Sequence, residues 1–342
     1  MAKEAMYKRV GLKEIAQEVG VDVSTVSRAL RDDPRVKTET TQVVRRKAHE
    51  LGYRPNRLAR ALRGGKTDRV AVLLSPPQVR FASPIFLELL ATLDQLLRAR
   101  SMTLAVFAAH RRDEERDIVR SIVEDRLADA VVIGRTQESD ARVRYLLEAG
   151  FPFVTFGRTD WPDRHPWVDI DYAKAGRLAI EALMQGKPAR ISILAAPRGL
   201  RFADGYVAGA RAAASELGAP DPDAWRIEMT EAAGEELAPG LFRDGPRHAI
   251  ACIQDSLAFG LYRAAAREGR VIGHDISVFG GQNFPGSEHT APPLSTFSTE
   301  DRTVAERLSE VVIARLGQTS DGPFENEVLH PAPLLRKSHL LD

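Results

Sequence analysis

The chain has 342 residues, of which 44% are hydrophobic, so it is long enough to build a small domain and two larger lobes. Its net charge of +1 conceals an uneven distribution. Residues 1–66 contain 16 lysine and arginine side chains against 8 acidic ones, whereas residues 67–342 contain 32 against 39. This asymmetry indicates a nucleic-acid-binding head on an acidic body. A pure solute-binding protein would lack such a head.

The single cysteine and the absence of long apolar runs narrow the class of protein. Cys252 excludes an internal disulfide framework, and its apolar neighbours over 249–253 predict a buried strand. The chain opens on charged residues rather than on a signal peptide, and no apolar run approaches the length of a membrane span. We therefore expect a cytoplasmic protein with no membrane partner.

Residues 10–31 predict two short helices joined by a tight turn. Apolar residues recur at helical spacing on both sides of the turn: Ile15, Ala16 and Val19, then Val26, Ala29 and Leu30. Gly20 stands where the first helix must end, a position suited to positive φ. Asp22 can cap the second helix, because its carboxylate can accept hydrogen bonds from the amides of the first turn.

The second of these helices has a polar side that suits DNA. Its residues include Ser24, Thr25, Ser27 and Arg28. A helix that buries one face and presents hydroxyl and guanidinium groups on the other is typical of recognition in a DNA groove. An ordinary helical hairpin at the protein surface is the alternative for this stretch taken alone.

A third helix and a short hinge follow. A pattern over about 38–51 would complete a three-helix head, with one apolar side formed by Val43, Val44, Ala48 and Leu51. A helix of about eight residues can then start at Pro55 and end before Gly64, although it is too short to be stable alone. Its charged residues are all arginines, which suit the narrow minor groove, and Leu62 is apolar. A plain interdomain linker is the alternative.

Residues 10–66 closely resemble the DNA-binding headpiece and hinge helix of the lac repressor–galactose repressor family of bacterial transcription regulators. The resemblance rests on three ordered motifs: Leu-Lys-Glu-Ile-Ala, Gly-Val-x-x-Ser-Thr-Val-Ser-Arg, and Leu-Gly-Tyr-Arg-Pro-Asn-x-x-Ala-x-x-Leu. Two positions depart from the family pattern. Arg31 stands where members often carry Asn, and Gly11 stands where Thr or Ser usually caps the first helix.

The resemblance implies roles in binding double-stranded operator DNA. Val23 and Ser24 would contact bases in the major groove, and Arg28 would be the main reader of guanine. A set of hydroxyl side chains would hold phosphates: Thr25, Ser27 and Thr40. A homodimer would place two heads in successive major grooves of a pseudo-palindromic operator, about one helical turn apart. The lack of a long leucine-heptad tail favours a dimer over a tetramer.

The hinge motif implies contacts in the minor groove. Asn56 and Arg57 would anchor the hinge helix there, and Ala59 belongs to the same motif. Leu62 would be the wedge that opens a central base step and bends the duplex.

From residue 67 onward, short apolar strands alternate with amphipathic helices, which predicts an α/β fold with parallel sheets. Strands are expected over 70–75, 103–107, 130–133, 153–156, 190–195, 225–229, 248–252, 276–279 and 294–297. Helices are expected over 84–98, 114–126, 140–149, 172–185, 204–217, 256–268 and 301–316. Two such lobes joined by crossing strands make a periplasmic-binding-protein-like core, in which ligands bind between the lobes at the carboxyl ends of the strands.

We therefore predict an all-α helix-turn-helix domain over 8–54, a hinge helix and linker over 55–66, and an effector-binding and dimerisation core over 67–342. Lobe 1 of the core would comprise about 67–166 and 296–323, and lobe 2 about 167–295 and 324–342. The core also resembles the same family in four stretches: Ser83–Phe86, Trp167–Asp171, Gly205–Gly218 and His274–Gly280.

Three positions where family members usually bind a sugar differ here. Tyr206 replaces an arginine, the pair Gln254-Asp255 replaces Asn-Asp, and the pair Gln282-Asn283 replaces Asp-Asp. Amides both donate and accept hydrogen bonds, so a polyhydroxyl ligand still fits. Further candidate effector contacts are Phe81, Ser83, Phe86, Arg158, Trp167 and Arg201. For Trp167, core packing at a lobe crossover is the alternative.

The stretches 156–159 and 165–169 are similar to family members linked to α-glucoside regulation, so the predicted effector is a saccharide and most specifically an α-glucoside. The alternatives are a non-sugar effector, a purine-type corepressor, or a DNA-binding dimer without a ligand. The sequence allows an inducer and a corepressor equally. It has no nucleophile elbow, no zinc-binding histidine spacing and no phosphate-cradling loop, so we expect neither an enzyme nor a cofactor.

Overall fold

The computed structural model of the chain describes residues 10–30, 33–53, 66–74, 84–111, 113–243, 247–317, 324 and 326–341. The chain divides into two compact units, Met1–Thr67 and Asp68–Asp342. The predicted hinge helix lies outside the described residues. So do the following residues that the sequence singles out: Arg31, Asn56, Arg57, Ala59, Leu62, Phe81 and Ser83.

The first unit contains three helices, α1 (Leu12–Val19), α2 (Val23–Ala29) and α3 (Thr38–Glu50). Its core consists of the predicted apolar side chains Ile15, Ala16, Val26, Ala29, Val44 and Ala48. Gly20 ends α1 at a φ of +72°, and the Asp22 carboxylate accepts a 2.7 Å hydrogen bond from the Ser24 amide at the start of α2. Both local predictions are confirmed. Gly11 precedes α1, and the Glu14 carboxylate accepts from its amide at 3.0 Å.

The second unit contains two parallel sheets. The first sheet has the order β11-β5-β4-β3-β1-β2, and the second has the order β7-β6-β8-β9. The strands are β1 (Arg69–Leu74), β2 (Thr103–Ala108), β3 (Ala130–Ile133), β4 (Phe153–Phe156), β5 (Trp167–Ile170), β6 (Arg190–Ala195), β7 (Asp223–Arg226), β8 (His248–Cys252), β9 (Ile276–Phe279), β10 (Thr296–Ser298), β11 (Glu327–Leu329) and β12 (Ala332–Leu334). This is the predicted α/β architecture, and Cys252 is buried in β8 as expected.

Helices alternate with these strands and pack on them. They are α4 (Pro84–Arg98), α5 (Glu114–Glu124), α6 (Ala141–Glu148), α7 (Tyr172–Leu183), α8 (Arg201–Glu216), α9 (Glu231–Phe242), α10 (Asp255–Glu268) and α11 (Asp301–Gly317). Short 3₁₀ turns cover Met184–Gly186 and Ser287–His289. Helix α11 packs on α4 and on β3, β4 and β5, so it belongs with the first sheet as predicted for 301–316.

Two strands lie in a different sheet from the one predicted. We expected residues from 167 onward and from 324 onward to belong to lobe 2. Instead β5 extends the first sheet beside β4, and β11 pairs in parallel with β5. Strand β10, expected to cross toward lobe 1, pairs antiparallel with β12. Pairing between strands so far apart in the chain has no local signal, which explains the error.

The helices and strands of the second lobe were predicted only in part. Helix α9 was not predicted, because Gly234, Pro239 and Gly240 weaken its helical pattern. Strand β7 begins two residues before the predicted span and ends at Arg226 rather than at Met229. Helix α8 begins at Arg201, three residues earlier than expected, so its first turn lies closer to the loops of the first sheet.

Gly176 in α7 and Gly209 in α8 allow these two helices to pack unusually closely, and this leads to a stability prediction. A methyl group at Gly209 would overlap the backbone carbonyl of Ala173, whereas one at Gly205 would find its nearest neighbour at 3.9 Å. Gly209→Ala should therefore destabilise the protein by about 1–3 kcal/mol or more. The matched variant Gly205→Ala, in the same helix, should be neutral or gain about 0.4–1 kcal/mol. Urea unfolding followed by circular dichroism checks both, and equal stabilities would contradict the packing argument.

Candidate DNA-reading helix and effector site

Helix α2 has one buried face and one outward face. Val26 and Ala29 are fully buried against α1 and α3. On the other side, Ser24 and Arg28 are exposed, and three further predicted contacts are partly buried: Val23, Thr25 and Ser27. The predicted phosphate contact Thr40 lies in the first turn of α3 and is also partly buried. Hydroxyl groups at a helix N-terminus and a guanidinium four residues further on can donate hydrogen bonds to phosphates and base edges.

In the second unit, polar side chains that follow strands of both sheets meet in one row. Ser256 Oγ donates to Gln254 Oε1 at 3.0 Å, and Gln254 Nε2 donates to Gln282 Oε1 at 2.9 Å. Gln282 Nε2 then donates to the Tyr172 hydroxyl at 2.7 Å. Gln254 follows β8, Gln282 follows β9 and Tyr172 follows β5, so the row joins the carboxyl ends of the second sheet to those of the first. The structure therefore brings together the predicted residues Gln254 and Gln282.

Asp255, predicted as an effector contact, is fully buried, and it connects the start of α10 to the segment between β9 and β10. Its carboxylate accepts four hydrogen bonds from protein donors: Gly281 N (2.6 Å), Phe284 N (2.7 Å), Ser287 Oγ (2.5 Å) and Thr296 Oγ1 (2.8 Å). Burial raises the pKa of Asp255 to about 6, while these donors act in the opposite direction. Both oxygens of the carboxylate are therefore engaged by protein donors.

Tyr206 also departs from its predicted place in the cleft. Its side chain is fully buried, its hydroxyl donates to the Cys252 carbonyl at 3.3 Å, and its ring centroid lies 6.4 Å from that of Phe297. Burial raises the pKa of Tyr206 well above its ordinary value. Tyr206 thus packs against the carboxyl end of β8, because helix α8 turns this side chain toward the core.

The first sheet contributes aromatic rings and one ion pair. The rings of Phe86 and Phe156 meet edge to face at 6.3 Å. Arg158 Nε donates to the Asp169 carboxylate at 2.7 Å, and its guanidinium lies 5.8 Å from the centre of the Trp167 ring. Trp167 is 9% exposed, and its indole N–H donates to the Pro162 carbonyl at 2.9 Å. These contacts favour the packing alternative for Trp167.

A loop after β3 contacts the start of α8, so the two lobes touch beside the row. Gln137 and Leu200 form an antiparallel bridge, flanked by hydrogen bonds from the Glu138 amide to the Gly199 carbonyl (3.1 Å) and from the Arg201 amide to the Thr136 carbonyl (3.2 Å). The Arg201 guanidinium pairs with Asp160 of the first lobe. Arg201, predicted as an effector contact, is thus engaged across the lobes.

Three residues at this meeting point were not predicted as site residues. Tyr172 ends the polar row, the ring of Phe202 lies 5.2 Å from that of Tyr172, and the Arg135 guanidinium lies 5.8 Å from the centre of the Phe202 ring. Tyr172 follows β5 and Arg135 follows β3, and this position after a parallel strand is the signal that could have identified them. The buried Arg142 donates to the carbonyls of Gly134 and Arg135 and thereby supports this loop.

Among the residues that the structure describes, no group of three or more His, Cys, Asp or Glu side chains is placed to hold a metal ion. No helix in the described ranges is long and apolar enough to cross a membrane.

Comparison with known proteins identifies both units. Residues 11–56 match the family described as bacterial regulatory proteins, lacI family, and residues 67–332 match the periplasmic binding proteins and sugar binding domain of the LacI family. The HTH-type transcriptional regulator AglR of Rhizobium meliloti (strain 1021) is 31% identical over 337 residues, which cover 96% of this chain and 94% of AglR.

Solved structures share the fold. A lac repressor dimer bound to operator and an anti-inducer has a TM-score of 0.81 at 22% identity, covering 97% of this chain and 100% of that chain. A complex of the transcriptional regulator CelR with cellobiose has a TM-score of 0.71 at 24% identity, covering 96% of this chain and 100% of that chain. The similar relatives are transcriptional regulators rather than enzymes. The chain therefore belongs to the LacI family of bacterial transcription regulators, with a DNA-binding helix-turn-helix region followed by a periplasmic-binding-protein-like core.

Proposed function

We propose that this protein is a transcriptional repressor whose operator binding is controlled by a small effector, and that it is not an enzyme. The observation that carries the proposal is the outward face of α2. Ser24 and Arg28 are exposed on a helix whose opposite face is buried, within the residues that match the LacI DNA-binding family. Two copies would place α2 in successive major grooves of a pseudo-palindromic operator, which requires a homodimer. Because it acts on the chromosome, the protein would work in the cytoplasm.

The proposed domain organisation has three parts: a helix-turn-helix domain over 8–54, a hinge helix and linker over 55–66, and a core over 67–342. In the hinge, Asn56, Arg57, Ala59 and Leu62 would contact the minor groove, with Leu62 inserted at a base step. In the head, Val23, Ser24 and Arg28 would read bases, and three further hydroxyl side chains would hold phosphates: Thr25, Ser27 and Thr40.

The proposed effector is a saccharide, with an α-glucoside as the first choice. It would bind where the carboxyl ends of the two sheets meet, beside Gln254 and Gln282, with the partly buried rings of Phe86 and Phe156 on the side of the first sheet. Amide and hydroxyl groups suit sugar hydroxyls, and aromatic faces suit the apolar faces of a sugar ring. A cellobiose complex of a protein with the same fold supports this class.

The proposed control is a population shift between two arrangements of the lobes. A ligand that binds one arrangement more tightly than the other moves the equilibrium by its difference in affinity, and it changes operator affinity by the same coupling. The contacts between the loop after β3 and the start of α8 give the lobes an interface that such a ligand can favour or break. We propose that the effector lowers operator affinity.

The test uses the full chain in two steps. Duplexes that bind are first selected from a random pool, and their affinity is measured by fluorescence anisotropy. A panel of neutral sugars, sugar acids, sugar phosphates and purines is then screened by thermal shift, and each hit is added to the protein–duplex complex. We expect a sugar to raise the unfolding temperature and to release the duplex. Failure to select any duplex would contradict the regulator, whereas a hit that strengthens duplex binding would reverse the direction of control.

A further inference from the structure

Tyr172 is a buried tyrosine at the carboxyl end of β5, in the core of the second unit. It is the first residue of α7, directly after the turn that follows β5, and only 7% of its surface is exposed. Its ring centroid lies 5.2 Å from that of Phe202 and 6.3 Å from that of Phe297. Its hydroxyl is thus held at the point where the carboxyl ends of the two sheets meet.

The row that ends at Tyr172 consists of neutral groups that can both donate and accept hydrogen bonds. In the arrangement described above, Gln254 donates to Gln282, and Gln282 donates to the oxygen of Tyr172. The proton of the Tyr172 hydroxyl is then available to a further acceptor. No described residue accepts a hydrogen bond from Tyr172 in this arrangement.

The same atoms also allow the row to run in the opposite direction. Each glutamine amide can exchange the places of its oxygen and nitrogen with almost no change in shape. Ser256 Oγ lies 3.2 Å from the Met229 carbonyl oxygen, which can take its proton. Tyr172 would then donate to Gln282, and the oxygen of Tyr172 would accept from a further donor.

We propose, on the basis of the function proposed above, that Tyr172 contacts the effector directly and selects an uncharged hydroxyl group on it, while Gln282 acts as the positioning residue. A hydroxyl can both donate and accept, so it pairs with Tyr172 whichever way the row runs. A charged group against the same atoms would lose its hydration without gaining an opposite charge from the row. The effector is therefore a neutral polyhydroxylated ring that stacks near Phe202.

Burial also keeps Tyr172 in the form that this role needs. It raises the pKa of Tyr172 well above its ordinary value of 10, so the hydroxyl retains its proton. The carboxylate of Asp169 acts in the same direction as burial, and the guanidinium of Arg135 opposes it.

The test measures dissociation constants for the full chain by isothermal titration calorimetry. The probes are maltose and cellobiose as neutral sugars, and gluconate and glucose 6-phosphate as anions. We expect a neutral sugar to bind more tightly than the anions, and Tyr172→Phe to weaken its binding about tenfold or more. Tyr262→Phe is the matched control, because the Tyr262 hydroxyl donates to the Pro292 carbonyl at 2.6 Å, away from the row. It should lower the unfolding temperature without changing the dissociation constant.

A second variant separates positioning from contact. Gln282→Glu places an acceptor-only group beside Tyr172, so Tyr172 must donate to it and can only accept from the ligand. A sugar hydroxyl still satisfies that arrangement, so Gln282→Glu should weaken binding less than Tyr172→Phe does.

Three outcomes would overturn the proposal. The first is an unchanged dissociation constant in Tyr172→Phe, and the second is tighter binding of the anions than of either sugar; both leave effector control itself intact. The third is no binding of any probe by a protein that still binds its selected duplex. Extending the probes to the full screening panel then shows whether the proposed effector control fails as well.

Discussion

Arg28→Ala is expected to remove most of the preference of this protein for its operator over unrelated DNA. A bidentate contact between arginine and guanine is worth about 1–3 kcal/mol of discrimination, and a dimer makes it twice. The expected loss of operator affinity is therefore roughly 30-fold to 10⁴-fold. The fold should not change, because Arg28 is exposed while Val26 and Ala29 form the buried face of α2. Anisotropy titrations with selected and random duplexes measure the ratio.

Arg35→Ala provides the matched control for the loss of one positive charge. Arg35 lies in the same unit and is exposed, but its guanidinium is paired with Asp33 through two hydrogen bonds of 2.9 and 2.7 Å. The Asp33 pKa is held well below its ordinary range by this pairing. The control should weaken binding to both duplexes slightly and equally. An unchanged preference in Arg28→Ala would mean that another group reads the bases.

The head was predictable from sequence because each of its features depends on neighbours within a few residues. Gly20 adopts the positive φ that its position requires, and Asp22 caps the next helix. In the core, five short strands rich in apolar residues were predicted with their observed bounds: β3, β4, β6, β8 and β9. Helix α9 was missed, because its Pro239 contradicts the local rules for a helix and only tertiary packing outweighs them.

The effector site was predicted only in part, because it depends on contacts between distant segments. Gln254 and Gln282 each follow a strand, so their meeting could be expected from the sheet order. The role of Asp255 could not, because two of its partners, Ser287 in a 3₁₀ turn and Thr296 in β10, come from later segments whose return to this site has no local signal. Tyr172 and Phe202 meet because α7 packs closely on α8, and the pairing of these two helices has no local signal in the sequence.

Asp255→Asn is expected to destabilise the core strongly. The carboxylate accepts from two backbone amides, those of Gly281 and Phe284, one on each oxygen. Asparagine must turn its NH₂ group toward one of these amides, which then has no acceptor in a buried site. The buried N–H group without an acceptor and the lost charge-assisted hydrogen bonds together lower the free energy of unfolding by roughly 2–5 kcal/mol. For a unit of this size that corresponds to a fall of about 5–15 °C in the unfolding temperature. Differential scanning calorimetry of the full chain measures it.

The same variant should also weaken effector binding without weakening operator binding, and this pattern distinguishes support from direct contact. Asp255 follows Gln254 in sequence and holds the amide of Gly281, which precedes Gln282. Loosening this corner therefore disturbs both amides of the row. The exposed Asp163 provides the control, because Asp163→Asn removes one carboxylate outside the row and should leave stability and affinity unchanged. If Asp255→Asn keeps the wild-type unfolding temperature but loses effector affinity, its carboxylate binds the ligand itself. Stability and affinity that fall together would place Asp255 behind the site.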